Sequence, residues 1–144
     1  MNLKKYKIKI YKTPFNFKKT IFCIKRKKFL LFNYEEILRQ KIILYLIHEK
    51  NYNLYNIEIE KIIYNQNKIY IIDIFVKTNN ILIECKSPNK KLTKNNIYQL
   101  FNYSNYINIK YFILTNGIEN IFLKKKLNNI KIINDIPYNK KLFF

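Results

Sequence analysis

The sequence has no tryptophan, no alanine and one glycine, Gly117. A Walker-A loop and a dinucleotide-binding fingerprint each need several glycines where backbone approaches phosphate, so neither can be built, and ATP-driven translocation is excluded from this chain. His48 is the sole histidine, which excludes HNH-type and zinc-deaminase chemistry within one subunit and leaves His48 an ordinary helix residue. Cys23 and Cys85 lie far apart without CxxC spacing, so a disulfide framework and a structural zinc are both unexpected and the two read as reduced thiols. Acidic residues are also scarce: 9 Asp and Glu stand against 28 Lys and Arg, a formal net charge of +19. The longest apolar run, residues 42–47, is far shorter than a membrane span, and Met1-Asn2-Leu3-Lys4-Lys5 is no signal-peptide apolar region. The expectation is a cytoplasmic protein with no membrane partner.

What is present fits one folded domain. A chain of 144 residues can bury a real core, and Ile, Phe and Tyr supply its apolar content. The positive charge suits nucleic acid or an anionic membrane surface. Lys, Asn, Ile, Tyr and Phe are also the residues of AT-rich codons, a bland origin for the same composition. The charge becomes an argument for function only beside a site that processes a polyanion.

Along the chain, residues 1–32 alternate Lys with Ile, Tyr and Phe, as in Tyr6-Lys7-Ile8-Lys9-Ile10, which predicts short strands or an extended basic arm. Within it, Lys25-Arg26-Lys27-Lys28 is either a solvated charge run or a phosphate contact. A helix is expected from the Asn33 cap to about Lys50, with Glu36 reaching back to the cap's N–H as a capping box. Glu35 is then free of capping duty and shares a helical stripe with Leu38, Ile42 and Leu46. Strands are expected over residues 57–64, 68–78 and 80–86, the last two joined by a turn at Asn79-Asn80. A second helix should run from the Thr93 cap to about Ile107, followed by a buried strand over residues 111–115 ending at Asn116-Gly117. Residues 130–133 suggest a last edge strand. The sum is an α/β (α+β) domain, a central mixed sheet flanked by helices, divided as 1–32 basic strands or arm, 33–123 core and 124–144 tail.

Three residues carry the chemistry. Asp73 interrupts the apolar run Ile69-Tyr70-Ile71-Ile72-Asp73-Ile74-Phe75-Val76, where a carboxylate is costly unless a cation or hydrogen bonds compensate. In Ile81-Leu82-Ile83-Glu84-Cys85-Lys86, Glu84 and Lys86 are two apart and project from one face of a strand. Two antiparallel strands and their turn would bring Asp73 beside Glu84, with the Lys86 ammonium next to both. Each feature also has a structural explanation: a hydrogen-bonded aspartate for the first, a solvated strand-end pair for the second. Together they suit a hard divalent cation, which binds through one or two carboxylates plus substrate phosphate. A neighbouring lysine can then orient water or stabilise transition-state charge.

These residues resemble the PD-(D/E)xK, or restriction-endonuclease-like, superfamily. More narrowly they resemble the N-terminal nuclease domain of type I restriction enzyme R subunits and its small stand-alone bacterial relatives. The matching stretches span about residues 21–122: Arg26-Lys27-Lys28, Glu35-Glu36-Ile37-Leu38-Arg39-Gln40, Glu60, Asp73, Glu84-Cys85-Lys86-Ser87-Pro88, Leu92-Thr93, Gln99 with Tyr103, and Leu114-Thr115-Asn116-Gly117. The resemblance implies a restriction-endonuclease-like core and a Mg2+ ion (Mn2+ as substitute) held by Asp73, Glu84, the backbone carbonyl of Cys85 and Glu35. Lys86 would be the catalytic lysine. Gln99 and Tyr103, at i and i+4 on one helix face, match a motif that lies beside such sites and contacts DNA. Lys90, Lys91, Lys94, Arg26 and Lys27 complete the candidate DNA contacts. Ile72 stands where the superfamily's name has proline.

The expected function is Mg2+-dependent cleavage of DNA phosphodiester bonds, alone, as a homodimer, or with helicase, restriction or repair partners. The alternative is a basic nucleic-acid-binding or assembly module of the same fold that has lost turnover. A third reading, a ribosome- or membrane-associated protein acting by charge alone, predicts binding that ignores the carboxylates.

Overall fold

The computed structural model describes residues 1–14, 17–65, 68–127 and 129–139. Among these, two helices and nine strands form two sheets. The first 32 residues supply a three-stranded antiparallel sheet, β1 (Ile10–Lys12), β2 (Lys19–Cys23) and β3 (Lys28–Leu31), so strands and not a loose arm follow from the alternating pattern. Helix α1 (Tyr34–His48) follows, then a 3-10 turn at Leu54–Asn56. Strands β4 (Ile57–Asn65), β5 (Lys68–Val76) and β6 (Ile81–Cys85) form the expected meander. Helix α2 (Lys94–Tyr103) carries the chain to β7 (Tyr111–Thr115), which pairs parallel to β6; parallel neighbours need such a crossover. Strands β8 (Asn120–Lys126) and β9 (Asn129–Ile132) complete a six-stranded mixed sheet in sequential order β4 to β9.

The two helices cover opposite faces of that sheet. Leu38, Ile42, Ile43 and Leu46 of α1 cluster with Ile57, Ile74, Val76, Ile81, Ile83 and Ile113. On the other face Leu100 and Tyr103 of α2 cluster with Ile72, Phe75, Leu82, Phe112 and Leu114. β6 is buried along its whole length because alternate residues feed both cores. Each fully buried Ile or Leu contributes roughly 1.5–3 kcal/mol, so the two clusters fix the sheet between its helices. The flanked mixed sheet expected from element order is therefore present, and no helix of the described residues is long and apolar enough to cross a membrane.

Four local expectations need correction. Asn33 caps α1, its side chain accepting from the Glu36 N–H at 2.6 Å, but the reciprocal half of the box is absent. Instead the Glu36 carboxylate is buried, bound by Arg39 and by Gln40 at 2.7 Å, because two buried donors on its own helix offer more than one exposed cap N–H. Helix α2 stops at Tyr103, short of Ile107, where the Ser104 hydroxyl donates to the Phe101 carbonyl at 2.7 Å and competes with helix continuation. The β5–β6 connection is wider than foreseen: residues 77–80 form the turn, with Asn80 in the left-handed region at φ +50°. Finally β8, whose Ile121, Phe122 and Leu123 are consecutive and run into lysines, carried no alternation to reveal it. It extends the sheet past residue 123, where β9 then adds the edge strand expected near residues 130–133; residues 128 and 140–144 lie outside the described residues.

Candidate functional site

The candidate residues gather at the C-terminal ends of β6 and β7, beside the interior of β5. The β5–β6 ladder pairs Ile74 with Ile83, and the next residue on each strand is Asp73 and Glu84. Asp73 Oδ2 accepts from the Cys85 N–H at 2.8 Å, which ties the end of β6 to β5 beyond their last paired residues. Lys86 Nζ donates to Glu84 Oε1 at 2.6 Å, and the Lys86 N–H donates to the Thr115 carbonyl at 2.8 Å, so the lysine backbone is pinned to β7. The two carboxylates and the amine thus meet where β6 stops against β5.

Glu84 is the unusual member. Its side chain is 8 % exposed, and its Oε2 is buried without a hydrogen-bond partner among the described residues. Burial first, then the Asp73 charge, push its carboxyl up to about 7 against the opposing hydrogen bond from Lys86. Two carboxylates side by side, one with an unmet buried oxygen, are a donor set for a hard cation that needs only one or two acidic side chains and completes its shell with water and phosphate. The residues present therefore fit magnesium at Asp73 and Glu84. Among the described residues no group of three or more His, Cys, Asp and Glu side chains is placed to hold a metal, so Glu35 does not close a third carboxylate onto the pair. Glu35 is half-buried on the first turn of α1, and its charge contributes to raising both the Glu84 carboxyl and the fully buried Cys85 thiol.

Arg39 organises the opposite side of the site. Its guanidinium binds the buried Glu36, donates to Glu60 Oε1 at 3.1 Å and donates to Asp73 Oδ1 at 2.8 Å. Glu60 also receives Arg26 from the β2–β3 turn. Glu60 and Asp73 are skipped by the β4–β5 ladder, which runs from Ile59–Ile74 straight to Lys61–Ile72. At this gap Glu60 takes φ +48°, a left-handed conformation costing a non-glycine residue about 1–3 kcal/mol. Inward-facing positions change sides there: Ile57 and Ile74 feed the α1 core, Ile63 and Ile72 the α2 core. The break lets Asp73 meet Arg39 from α1 while staying beside Glu84. Neither Arg39 nor Glu60 stood out in the sequence beyond the family-like stretches that contain them; Glu36-x-x-Arg39 at helical spacing was the available signal.

On the α2 side, Gln99 Nε2 donates to the Tyr103 hydroxyl at 2.8 Å. Burial, then the Glu84 charge, push the Tyr103 phenol up to about 12, so this pair adjoins the carboxylates. Tyr103 is buried, and Gln99 is the half-exposed member. Lys86, Lys90, Lys91, Thr93 and Asn96 line an open pocket of about 390 Å³, and Lys94 begins α2 on the same loop. Among the described residues Lys90, Lys91 and Lys94 have no acidic partner, whereas Arg26 is held by Glu60; Lys27, exposed in the β2–β3 turn, has none.

No curated protein and no solved structure matches the chain. The sequence model of the type I restriction enzyme R protein N terminus matches residues 34–137, a segment that begins at α1 and takes in Arg39, Glu60, Asp73, Glu84, Lys86, Gln99 and Tyr103. The chain accordingly belongs to the family of the type I restriction enzyme R protein N terminus.

Proposed function

We propose that this chain is a Mg2+-dependent deoxyribonuclease of the PD-(D/E)xK type, with a restriction-endonuclease-like core. The observation that carries the reading is the buried, unpartnered Oε2 of Glu84 beside Asp73, with Lys86 2.6 Å from the other Glu84 oxygen. Asp73, Glu84 and the Cys85 carbonyl would hold the ion, with Glu35 at the margin. When bound, magnesium supplies positive charge against the phosphate and makes water easier to deprotonate. Lys86 positions the attacking water and offsets charge growing on the phosphate oxygens. Arg39 orients Asp73 through its 2.8 Å hydrogen bond. Gln99 and the pocket with Lys90, Lys91 and Lys94 receive the DNA backbone, whose counterions those lysines displace. Family membership supports a restriction-system setting, with DNA and restriction partner proteins.

A second reading has its own support. Both Asp73 oxygens already accept hydrogen bonds, from Arg39 and from the Cys85 N–H, as in a fold that keeps the residues for structure and binds DNA without turnover. Supercoiled plasmid incubated with the full chain in magnesium, beside EDTA, Asp73→Asn and Glu84→Gln controls, separates the two. Nicking or linearisation confined to the wild type with metal supports the nuclease. Absence of cleavage, with DNA affinity indifferent to magnesium and to both substitutions, establishes the binding module instead.

A further inference from the structure

The β1–β3 sheet precedes the segment shared with the family, and the proposed chemistry does not use its outer face. Its register places Thr20 between Tyr11 and Leu31, and Phe22 opposite Phe29. Thr20 and Phe22 are two apart on β2, so all five share one face, while Ile21 and Cys23 point the other way and are fully buried. On that outer face Phe29 is 55 % exposed, Leu31 62 %, Phe22 39 % and Tyr11 37 %. The rings touch one another edge to face, Tyr11–Phe29 at 5.1 Å and Phe22–Phe29 at 5.3 Å, and Thr20 lies buried among them.

A contiguous exposed aromatic face marks an interaction surface. Its surroundings define the partner. No Asp or Glu occurs before Glu35, so the charge around the rings has one sign. Lys9, two before Tyr11, sits 5.0 Å over its ring, and Lys27 is exposed in the adjoining β2–β3 turn; neither has a carboxylate partner among the described residues, while Lys12, Lys19 and Lys28 fall on the Ile21–Cys23 side by the same register. The complementary partner carries dense negative charge and flat apolar faces in alternation. Unpaired nucleotides have both; a duplex offers the charge but hides its base faces in the stack. The β2–β3 turn is joined to the candidate site through Arg26, Glu60, Arg39 and Asp73, so a strand lying on this face has a short route to it.

We propose that the outer face of β1–β3, with Tyr11, Phe22 and Phe29 as stacking surfaces and Lys9 and Lys27 as backbone contacts, binds single-stranded nucleic acid. The binding does not depend on the nuclease reading, because it needs neither metal nor Glu84. If both hold, the preferred substrate has an unpaired tract beside the cut.

The test is fluorescence anisotropy of the full chain in EDTA with a labelled oligothymidylate, an oligouridylate and a duplex of equal length. Phe22→Leu and Phe29→Leu keep apolar bulk and remove the ring; Phe29→Tyr keeps the ring and controls for folding. The expected result is single-strand affinity weakened about tenfold by each Leu variant, retained by Phe29→Tyr, with duplex affinity unchanged. The ribo and deoxy strands should respond alike, since stacking reads the base face. Single-strand binding that ignores both Leu variants overturns the proposal. So does a dimer in size-exclusion chromatography that the Leu variants dissolve while single-strand affinity stays at wild-type level, which would assign the face to a second copy of the chain. Failure of plasmid cleavage leaves this result intact, and failure here leaves the cleavage test intact.

Discussion

Arg39 reaches from α1 to Asp73 on β5, donating at 2.8 Å, while the same guanidinium binds Glu36 on its own helix and Glu60 on β4. One buried cation therefore serves three carboxylates from three elements, and the Glu36 and Asp73 charges hold it protonated against the burial that opposes them. Removing it strands the buried Glu36 and the largely buried Asp73, while Glu60 keeps Arg26. Arg39→Met should lower the unfolding free energy by about 3–5 kcal/mol, measured by urea denaturation. Arg39→Lys, a point charge without the planar fork, should recover less than half of the loss. Wild-type stability in Arg39→Met would mean that the cluster does not hold the fold.

The raised Glu84 carboxyl gives stability a pH signature. Its folded value of about 7 lies above the ordinary carboxyl value of 4.5, so the unfolded chain ionises first as pH rises. Stability from protonated Glu84 is complete below about 4.5, is lost between there and about 7, and then stays level. The metal-free wild type should lose about 3 kcal/mol relative to Glu84→Gln across that window, at 1.36 kcal/mol per unit. Magnesium at pH 8 should raise the melting temperature of the wild type and leave that of Glu84→Gln unchanged. Parallel stability curves for the two proteins from pH 4 to 8 would contradict this.

Lys86 is held by its ion pair to Glu84 and by the β7 backbone, so removing its charge should act on the reaction before the fold. For the proposed nuclease, Lys86→Met is expected to slow single-turnover cleavage about 10²–10³-fold, the usual cost of one transition-state donor, while DNA affinity in EDTA changes little. Equal losses in cleavage and in affinity would make Lys86 a binding residue only.

Gly117, in the turn between β7 and β8, has φ +86°, and an added Cβ would lie 3.1 Å from Leu38 Cδ1 on α1. Gly117→Ala should cost about 1–2 kcal/mol through backbone strain and displacement of that leucine. Calorimetry of the variant checks this, and Leu38→Ala in the same background should relieve only the steric part.

The sequence by itself determined both helices and the central strands, and it singled out Asp73, Glu84 and Lys86 as candidates. Asn33 and Thr93 announced the helix starts, because a cap acts on backbone groups two or three residues away. Asp73 in its apolar run and Glu84-Cys85-Lys86 stood out because a carboxylate inside a buried strand needs a reason. All of these depend on neighbours in the chain, and local physics suffices to read them.

Tertiary structure alone decided what the charges touch. That Glu60 and Asp73 fall in a gap of their ladder and that Arg39 bridges α1, β4 and β5 depend on residues 13 to 34 positions apart, and the burial that turns Glu36 inward to Arg39 is set by the same packing. The fate of a charged side chain is set by competition among every donor and acceptor that the fold brings within reach. The aromatic face of β1–β3 has the same origin: alternation showed that half of its residues lie on one side, but only the packed molecule showed which side was left uncovered.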